Sequence, residues 1–176
     1  MKTIRSISLI LIAALAVSFT SCKKDDPTPV ALTAITYSNL NADYAPPVGG
    51  LTGPPTYPTA TNKFTFFSFK TGSIVANSDS ATTKWDLGFR ATTIIVNGGT
   101  SGPGVGGAIV QTGIFADLTT APTTGYAQDD KNGAVKYAIP TGSGAGWYTY
   151  NTSTNLITPT AGKFLIIKTA DGKYAK

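Results

Sequence analysis

The stretch FTFFSFKTGSIV, residues 64–75, decides the fold. Phe64 and Phe66 fall on one face of an extended chain, and the aromatic pattern changes phase at Phe67, which predicts a strand with a β-bulge. The Lys-Thr-Gly-Ser sequence at residues 70–73 is typical of a tight turn, and an Ile-Val pair follows it. The stretch therefore predicts a β-hairpin.

Seven further stretches have the same character. They are rich in Val, Ile, Phe, Tyr, Trp and Thr, which suit a pleated, half-buried surface, and they cover residues 30–37, 84–89, 92–96, 107–111, 134–139, 146–150 and 164–169. No window has apolar residues at helical spacing, and Gly or Pro interrupts most candidates. The sequence predicts an all-β fold, with a single antiparallel domain over residues 31–176.

The composition fits one folded domain. Of 176 residues, 41% are hydrophobic and 13% are charged, which excludes a disordered chain and a coiled coil. The 14 Lys and Arg residues outnumber the 9 acidic residues, all of which are Asp. Because the lysines are scattered singly rather than clustered among aromatic residues, nucleic acid is not expected as a partner.

The amino terminus predicts a lipoprotein signal peptide. Lys2 and Arg5 precede a short apolar run at residues 7–19, which is too short to span a bilayer as a helix, since that takes about 20 residues. The small residues before Cys22 resemble a bacterial lipobox. Residues 1–21 are therefore expected to be removed, with Cys22 lipidated. Ordinary secretion with a free thiol is the alternative.

A short linker is predicted at residues 22–30, after the lipidated cysteine. Its two Lys and two Asp residues keep it solvated, and two prolines stiffen it. Lys followed by two Asp behind the lipid cysteine also resembles the export tag of surface lipoproteins in Bacteroidota; a solvated linker is the plainer interpretation. We expect a protein anchored to the outer membrane by lipid and facing the cell exterior.

The residues that the chain lacks argue against an enzyme. It has no His, and its one Cys is the predicted lipidation site, so no Ser-His or Cys-His nucleophile pair can form. Asp129 and Asp130 are the obvious carboxylate pair for a glycosidase, but the Lys-Asn-Gly that follows them favours a turn. The Gly-rich segment 97–107 has no Gly-Lys-Ser/Thr, so it predicts a close backbone crossing rather than a phosphate loop.

Several motifs resemble the HmuY family in the same order. They are Phe-Phe-Ser-Phe at residues 66–69, Lys-Trp-Asp-Leu-Gly-Phe at 84–89, Asn-Gly-Gly-Thr-Ser-Gly at 97–102, Pro-Thr-Thr-Gly-Tyr at 122–126, Gly-Trp at 146–147 and the run 166–176. The resemblance implies a lipid-anchored, largely β protein. It also implies capture of haem at the cell surface and its transfer to an outer-membrane haem transporter.

The haem ligands of the family do not carry over. Its best-known member uses two histidines, and related proteins use methionine; here there is no His, and Met1 leaves with the signal peptide. Thr152 falls opposite one family histidine. Tyrosine can also ligate haem iron, so Tyr148 and Tyr150 are the candidate haem contacts, and Tyr137 is a more distant one. Equally, each of these tyrosines could simply lie at the rim of the core with its hydroxyl at water.

Two hypotheses therefore remain open: a haem- or porphyrin-binding surface lipoprotein, and a non-haem surface module for a glycan or protein partner. Trp85 and Asp86 are interpreted as core and turn rather than as a site. The family pattern continues beyond the run that ends here at Lys176, so one or more carboxy-terminal strands are expected to be missing. In that case residues 164–169 would form an unpaired edge strand.

Overall fold

A computed structural model describes residues 40–42 and 62–176. This part of the chain contains nine strands and two single 3-10 turns, at Asn77–Asp79 and Phe115–Asp117. The strands are β1 Thr65–Ser68, β2 Ser73–Val75, β3 Leu87–Arg90, β4 Thr93–Val96, β5 Gly107–Thr112, β6 Tyr148–Asn151, β7 Leu156–Pro159, β8 Lys163–Lys168 and β9 Tyr174–Ala175. Every pairing between them is antiparallel, which confirms the predicted all-β class.

The predicted hairpin at residues 64–75 is present as β1 and β2, which open a four-stranded sheet of order β2-β1-β3-β4. The predicted bulge is wrong, because the register from Phe66 opposite Val75 to Ser68 opposite Ser73 is continuous. Consecutive phenylalanines occur because both faces of this sheet are covered. Phe66 and Phe67 point to opposite faces, and both are buried.

Strand β5 and the last two strands of the chain form a second sheet, of order β5-β8-β9. Strand β8 pairs with β5 along its whole length and with β9 at Ile167 and Lys168. The expectation of an unpaired edge at residues 164–169 is therefore wrong for Ile167 and Lys168, which pair on both sides, whereas residues 164–166 pair with β5 alone. Strands β6 and β7 form a separate two-stranded hairpin.

Two apolar clusters lie on the two faces of the first sheet. The larger one joins both sheets and consists of Leu87, Ile94, Val96, Ala108, Ala138, Ile139 and Ile167. The smaller one consists of Phe66, Trp85 and Ile95, with Phe64, Val75 and Tyr137 packed against it. Because opposite residues of paired strands share a face, Phe66, Gly88 and Ile95 form one row across the sheet.

The strand predicted at residues 134–139 is wrong. The structure has only an isolated bridge between Asp130 and Lys136 there, and Val135 is exposed. The segment bends after an Asn-Gly turn, and the backbone N–H of Ala138 is satisfied by the Asp129 carboxylate rather than by a neighbouring strand.

The predictions for residues 1–39 lie outside the described residues. They comprise the signal peptide, lipidation of Cys22, the linker and the strand at 30–37; the loop at residues 45–58 is also outside. Across the described residues, no helix has the length and apolarity needed to cross a membrane.

Candidate functional site

The Trp-Asp motif before β3 is part of the scaffold. Trp85 is fully buried, its ring centroid lies 4.5 Å from that of Phe66, and its Nε1 donates to the carbonyl of Ser80 at 2.9 Å. Asp86 accepts the backbone N–H of Phe69 at 2.7 Å and that of Ala170 at 2.8 Å. The core role predicted for Trp85 is confirmed. Asp86 is a buried link between the end of β1 and the segment after β8.

Burial of Asp86 makes the stability of the fold depend on pH. Loss of hydration raises the pKa of this carboxyl above its ordinary value of 3.8, although hydrogen bonds from Ala170 and Phe69 partly offset the effect. The folded state therefore holds this proton more tightly than the unfolded state does. The stabilisation linked to this proton is complete below pH 3.8 and is lost as the pH rises through the raised folded-state pKa.

We therefore expect the unfolding free energy of wild type minus that of Asp86→Asn to fall as the pH rises from 3.8 through the raised folded-state pKa of Asp86. Urea titrations at closely spaced pH values would measure it. A difference that grows with pH over the same interval would contradict the raised pKa. Asp117→Asn, which changes an exposed carboxyl in the same way, is the control for the substitution itself.

The Gly-rich segment 97–107 is wrapped around one buried side chain. The Asn97 amide donates to the carbonyls of Trp85 at 2.7 Å and Thr82 at 2.9 Å, and its Oδ1 accepts the N–H of Gly104 at 2.9 Å. A Cβ on Gly102 would lie 2.2 Å from that Oδ1. These contacts confirm the predicted close backbone crossing, and they leave no role for this segment as a phosphate loop.

Gly98→Ala should lower the unfolding free energy by about 3 kcal/mol, because overpacking a rigid site is costly. The added Cβ would lie 2.0 Å from the carbonyl oxygen of Gly106, which is backbone and cannot swing away. Gly133→Ala is the control: it has a positive φ of 80° but no atom within 4 Å, so about 1 kcal/mol of backbone strain is expected. Equal losses in urea unfolding would show that the clash is not the cause.

The two adjacent aspartates have different roles. Asp129 is 1% exposed, and its carboxylate accepts the N–H groups of Val96 at 3.0 Å and Ala138 at 2.8 Å. Asp130 is exposed and accepts the N–H of Asn132 at 2.9 Å. The predicted turn is confirmed for Asp130 and is wrong for Asp129, which links β4 to the segment before β6. Both oxygens of Asp129 are engaged by backbone, so the pair does not have the geometry of two facing carboxylates.

The candidate tyrosines lie on the β6–β7 hairpin. The hairpin is anchored where Trp147 packs against the larger apolar cluster and its Nε1 donates to the carbonyl of Thr92 at 3.0 Å. Tyr148 follows, 9% exposed, with its ring 5.1 Å from that of Trp147. Two residues further along the strand, Tyr150 is 39% exposed. The strand thus runs from the core outwards.

One face of this hairpin is apolar and aromatic. Tyr148 lies opposite Pro159 and Tyr150 lies opposite Ile157, so these four side chains share a face, which we call the platform. Its outer half is open, since Ile157 is 48% exposed. The structure thus brings Tyr148 and Tyr150 together. Tyr137 packs instead against the smaller cluster.

The outer tyrosine is held by its neighbours. The Tyr150 hydroxyl donates to Oδ1 of Asn155 at 2.7 Å, and its backbone N–H donates to Oγ of Ser143 at 2.8 Å. Asn155 closes the four-residue turn that begins at Thr152, and its φ of 56° suits Asn. Neither Ser143 nor Asn155 was predicted from the sequence, although the polar Asn-Thr-Ser-Thr-Asn turn directly after Tyr150 was an available signal.

A groove of about 510 Å³ lies elsewhere, over the smaller cluster. It is lined by an aromatic and aliphatic floor and a hydroxyl- and glycine-rich rim: Phe64, Phe66, Ile95, Ser80, Ala81, Gly99, Thr100, Ser101, Gly102, Pro103 and Lys131. Neither Tyr148 nor Tyr150 borders it. Within residues 40–42 and 62–176, no three His, Cys, Asp or Glu side chains are grouped so that they could hold a metal ion.

Comparison with known protein families shows which family the chain belongs to. The family model described as HmuY protein matches residues 60–176. The chain belongs to the HmuY family. The resemblance drawn from the motifs is confirmed, and the match spans all nine strands. A search of curated proteins found no match.

Membership of the HmuY family makes this chain a haem-binding-type surface protein at the level of the family, which is non-enzymatic. The structure also explains which residues carry the family likeness. Trp85, Asp86 and Asn97 are all buried and bonded to backbone, so these three motif residues belong to the scaffold. Other motif residues line the groove: Phe66, Thr100, Ser101 and Gly102.

Proposed function

We propose that this protein captures haem or a porphyrin at the cell surface, with the platform as the binding surface and Tyr150 as the iron ligand. One observation carries the proposal: Tyr150, which is 39% exposed, lies beside apolar side chains on the hairpin whose turn contains Thr152, the residue opposite a family ligand. A phenolic oxygen is an established type of haem ligand. The phenolic oxygen of Tyr150 therefore fits a haem whose iron takes one ligand from the protein.

The residues of the platform have distinct tasks. Ile157 and Pro159 offer apolar surface against which a macrocycle would lose water. Asn155 fixes the direction of the Tyr150 hydroxyl, and Ser143 fixes the backbone of the same residue. Tyr148 is buried against Trp147 and keeps the strand in place. Haem, once bound, would supply a Lewis-acidic iron for a lone pair of the Tyr150 oxygen, while the hydroxyl keeps its bond to Asn155.

Titration of the purified protein with ferric haem, followed at the Soret band, tests this proposal. We expect a saturable shift at a stoichiometry of one. Iron-free protoporphyrin should bind more weakly, because it retains the platform contacts and lacks the bond to Tyr150. If neither compound gives a saturable change, direct haem capture fails, and a non-haem surface module is the remaining hypothesis.

We further propose that Cys22 is lipidated and anchors the protein to the outer membrane, facing the cell exterior, where it would hand haem to an outer-membrane transporter. The lipobox-like residues and the charged linker support this. Cys22→Ala should abolish incorporation of labelled fatty acid into the protein, because a single residue carries all the acyl chains. Labelling of the variant at wild-type levels would contradict lipidation of Cys22.

A further inference from the structure

The groove over the smaller cluster is separate from the platform and has a rigid aromatic floor. The rings of Phe64 and Phe66 lie 6.3 Å apart with an interplanar angle of 30°, so they form a nearly continuous strip. Trp85 supports Phe66 from below. Gly88 lies between Phe66 and Ile95 in the sheet, and a Cβ there would lie 2.8 Å from Ile95. Because Gly88 has no side chain, Phe66 and Ile95 can pack closely above it in the floor of the groove.

The rim of the groove is rich in hydroxyl groups and firmly held. Thr100 Oγ1 donates to the Asp129 carbonyl at 3.2 Å and accepts the backbone N–H of Lys131 at 2.9 Å, which fixes the Gly-rich loop against the core. Ser101 Oγ is buried and has no hydrogen-bond partner among the described residues. A buried hydroxyl without a partner is uncommon, since leaving one unpaired costs about 1–3 kcal/mol.

The lining of the groove carries one charged side chain, Lys131, and the exposed Asp130 is its neighbour in the chain. Lys131 is exposed and forms no ion pair within residues 40–42 and 62–176. The Arg90 guanidinium lies 4.4 Å from the centroid of Phe64 and bonds only to Asn62 oxygens in that part of the chain. The nearby Asp79 is neutralised by Lys84 at 3.0 Å. Lys131 is therefore the cation that the lining offers to an anionic group.

We propose that this groove binds an acidic saccharide, a sugar ring bearing a carboxylate. The apolar face of the ring would stack on the face of Phe64 that Arg90 leaves open, its hydroxyls would reach the exposed Thr100 at the rim, and its carboxylate would pair with Lys131. An aromatic surface, hydroxyl partners and one unpaired cation are the features that such a ligand needs together. The groove has no Tyr, His, Met or Cys in its lining, so it offers haem iron no ligand.

Isothermal titration of the whole protein with sialyllactose, and with lactose as its neutral counterpart, tests the proposal. We expect saturable binding of sialyllactose and at least tenfold weaker binding of lactose. Lys131→Gln should weaken sialyllactose about tenfold through loss of a charge-assisted contact. Lys136→Gln, an exposed lysine outside the groove, is the matched control and should leave the Kd unchanged.

Two further variants test the stacking contact and the independence of the groove from the platform. Phe64→Leu keeps an apolar side chain but removes the stacking surface, and it should weaken sialyllactose several-fold; its fold is checked by thermal unfolding. Tyr150→Phe should leave saccharide binding intact. Absence of sialyllactose binding, equal binding of lactose, an unchanged Kd in Lys131→Gln, or loss of binding in Tyr150→Phe would each overturn the proposal.

Discussion

Asp129→Ala is expected to lower the unfolding free energy by about 4 kcal/mol, since two buried N–H groups lose their acceptor and each unpaired donor costs about 2 kcal/mol. The donors belong to Val96, in the last strand of the first sheet, and to Ala138, in the larger cluster. Urea unfolding followed by tryptophan fluorescence measures the loss, because Trp85 and Trp147 both lie against the apolar clusters.

The neighbouring residue supplies the control. Asp130→Ala removes an exposed turn contact to Asn132, so a loss of no more than about 0.5 kcal/mol is expected. Asp129→Asn keeps one accepting oxygen and should fall between the two alanine variants. Losses of equal size at the two adjacent positions would show that burial and backbone bonding do not distinguish them.

Tyr150→Phe is expected to weaken ferric haem binding by at least tenfold and to abolish the ligand-dependent part of the Soret shift. The substitution removes the phenolic oxygen but preserves the ring, which shares a face with Ile157. The loss should therefore fall on the iron bond alone, so binding of iron-free protoporphyrin should be nearly unchanged. Parallel titrations of wild type and variant with both compounds measure this.

Two other tyrosines serve as controls for this prediction. Tyr148→Phe alters a residue that is 9% exposed and should leave the haem spectrum as in wild type. Tyr137→Phe lies in the smaller cluster, away from the hairpin, and should also bind normally. A spectral loss in Tyr148→Phe with retention in Tyr150→Phe would move the ligand to Tyr148. Wild-type spectra in all three variants would remove tyrosine ligation altogether.

Features that depend on local pattern could be predicted from the sequence. The hairpin at residues 64–75 and the all-β class follow from β-branched and aromatic runs separated by turn residues, a signal that is complete within a dozen residues. The Asp130 turn and the Gly-rich crossing likewise follow from nearby residues. Family membership was also accessible, because its motifs occur in order along the chain.

Predictions from the sequence were wrong where a feature depends on contact between segments that are distant in the chain. A bulge was predicted in β1 because alternation assumes one buried face, but a second cluster covers the other face of the sheet. Residues 164–169 were expected to form an unpaired edge, yet β9, which follows them in sequence, folds back and pairs with Ile167 and Lys168. A strand at residues 134–139 was expected from composition, although a carboxylate takes the place of a strand partner there.

By itself, the sequence determined the strand-rich class, the first hairpin, the family, and the tyrosines that can offer oxygen to iron. Only the tertiary structure decided which of those tyrosines is open to a ligand and which aspartates are buried. Asp129 reaches a donor 33 residues away, and Asp86 reaches one 84 residues away. Exposure and pairing depend on contacts between such distant segments, and local composition does not encode those contacts.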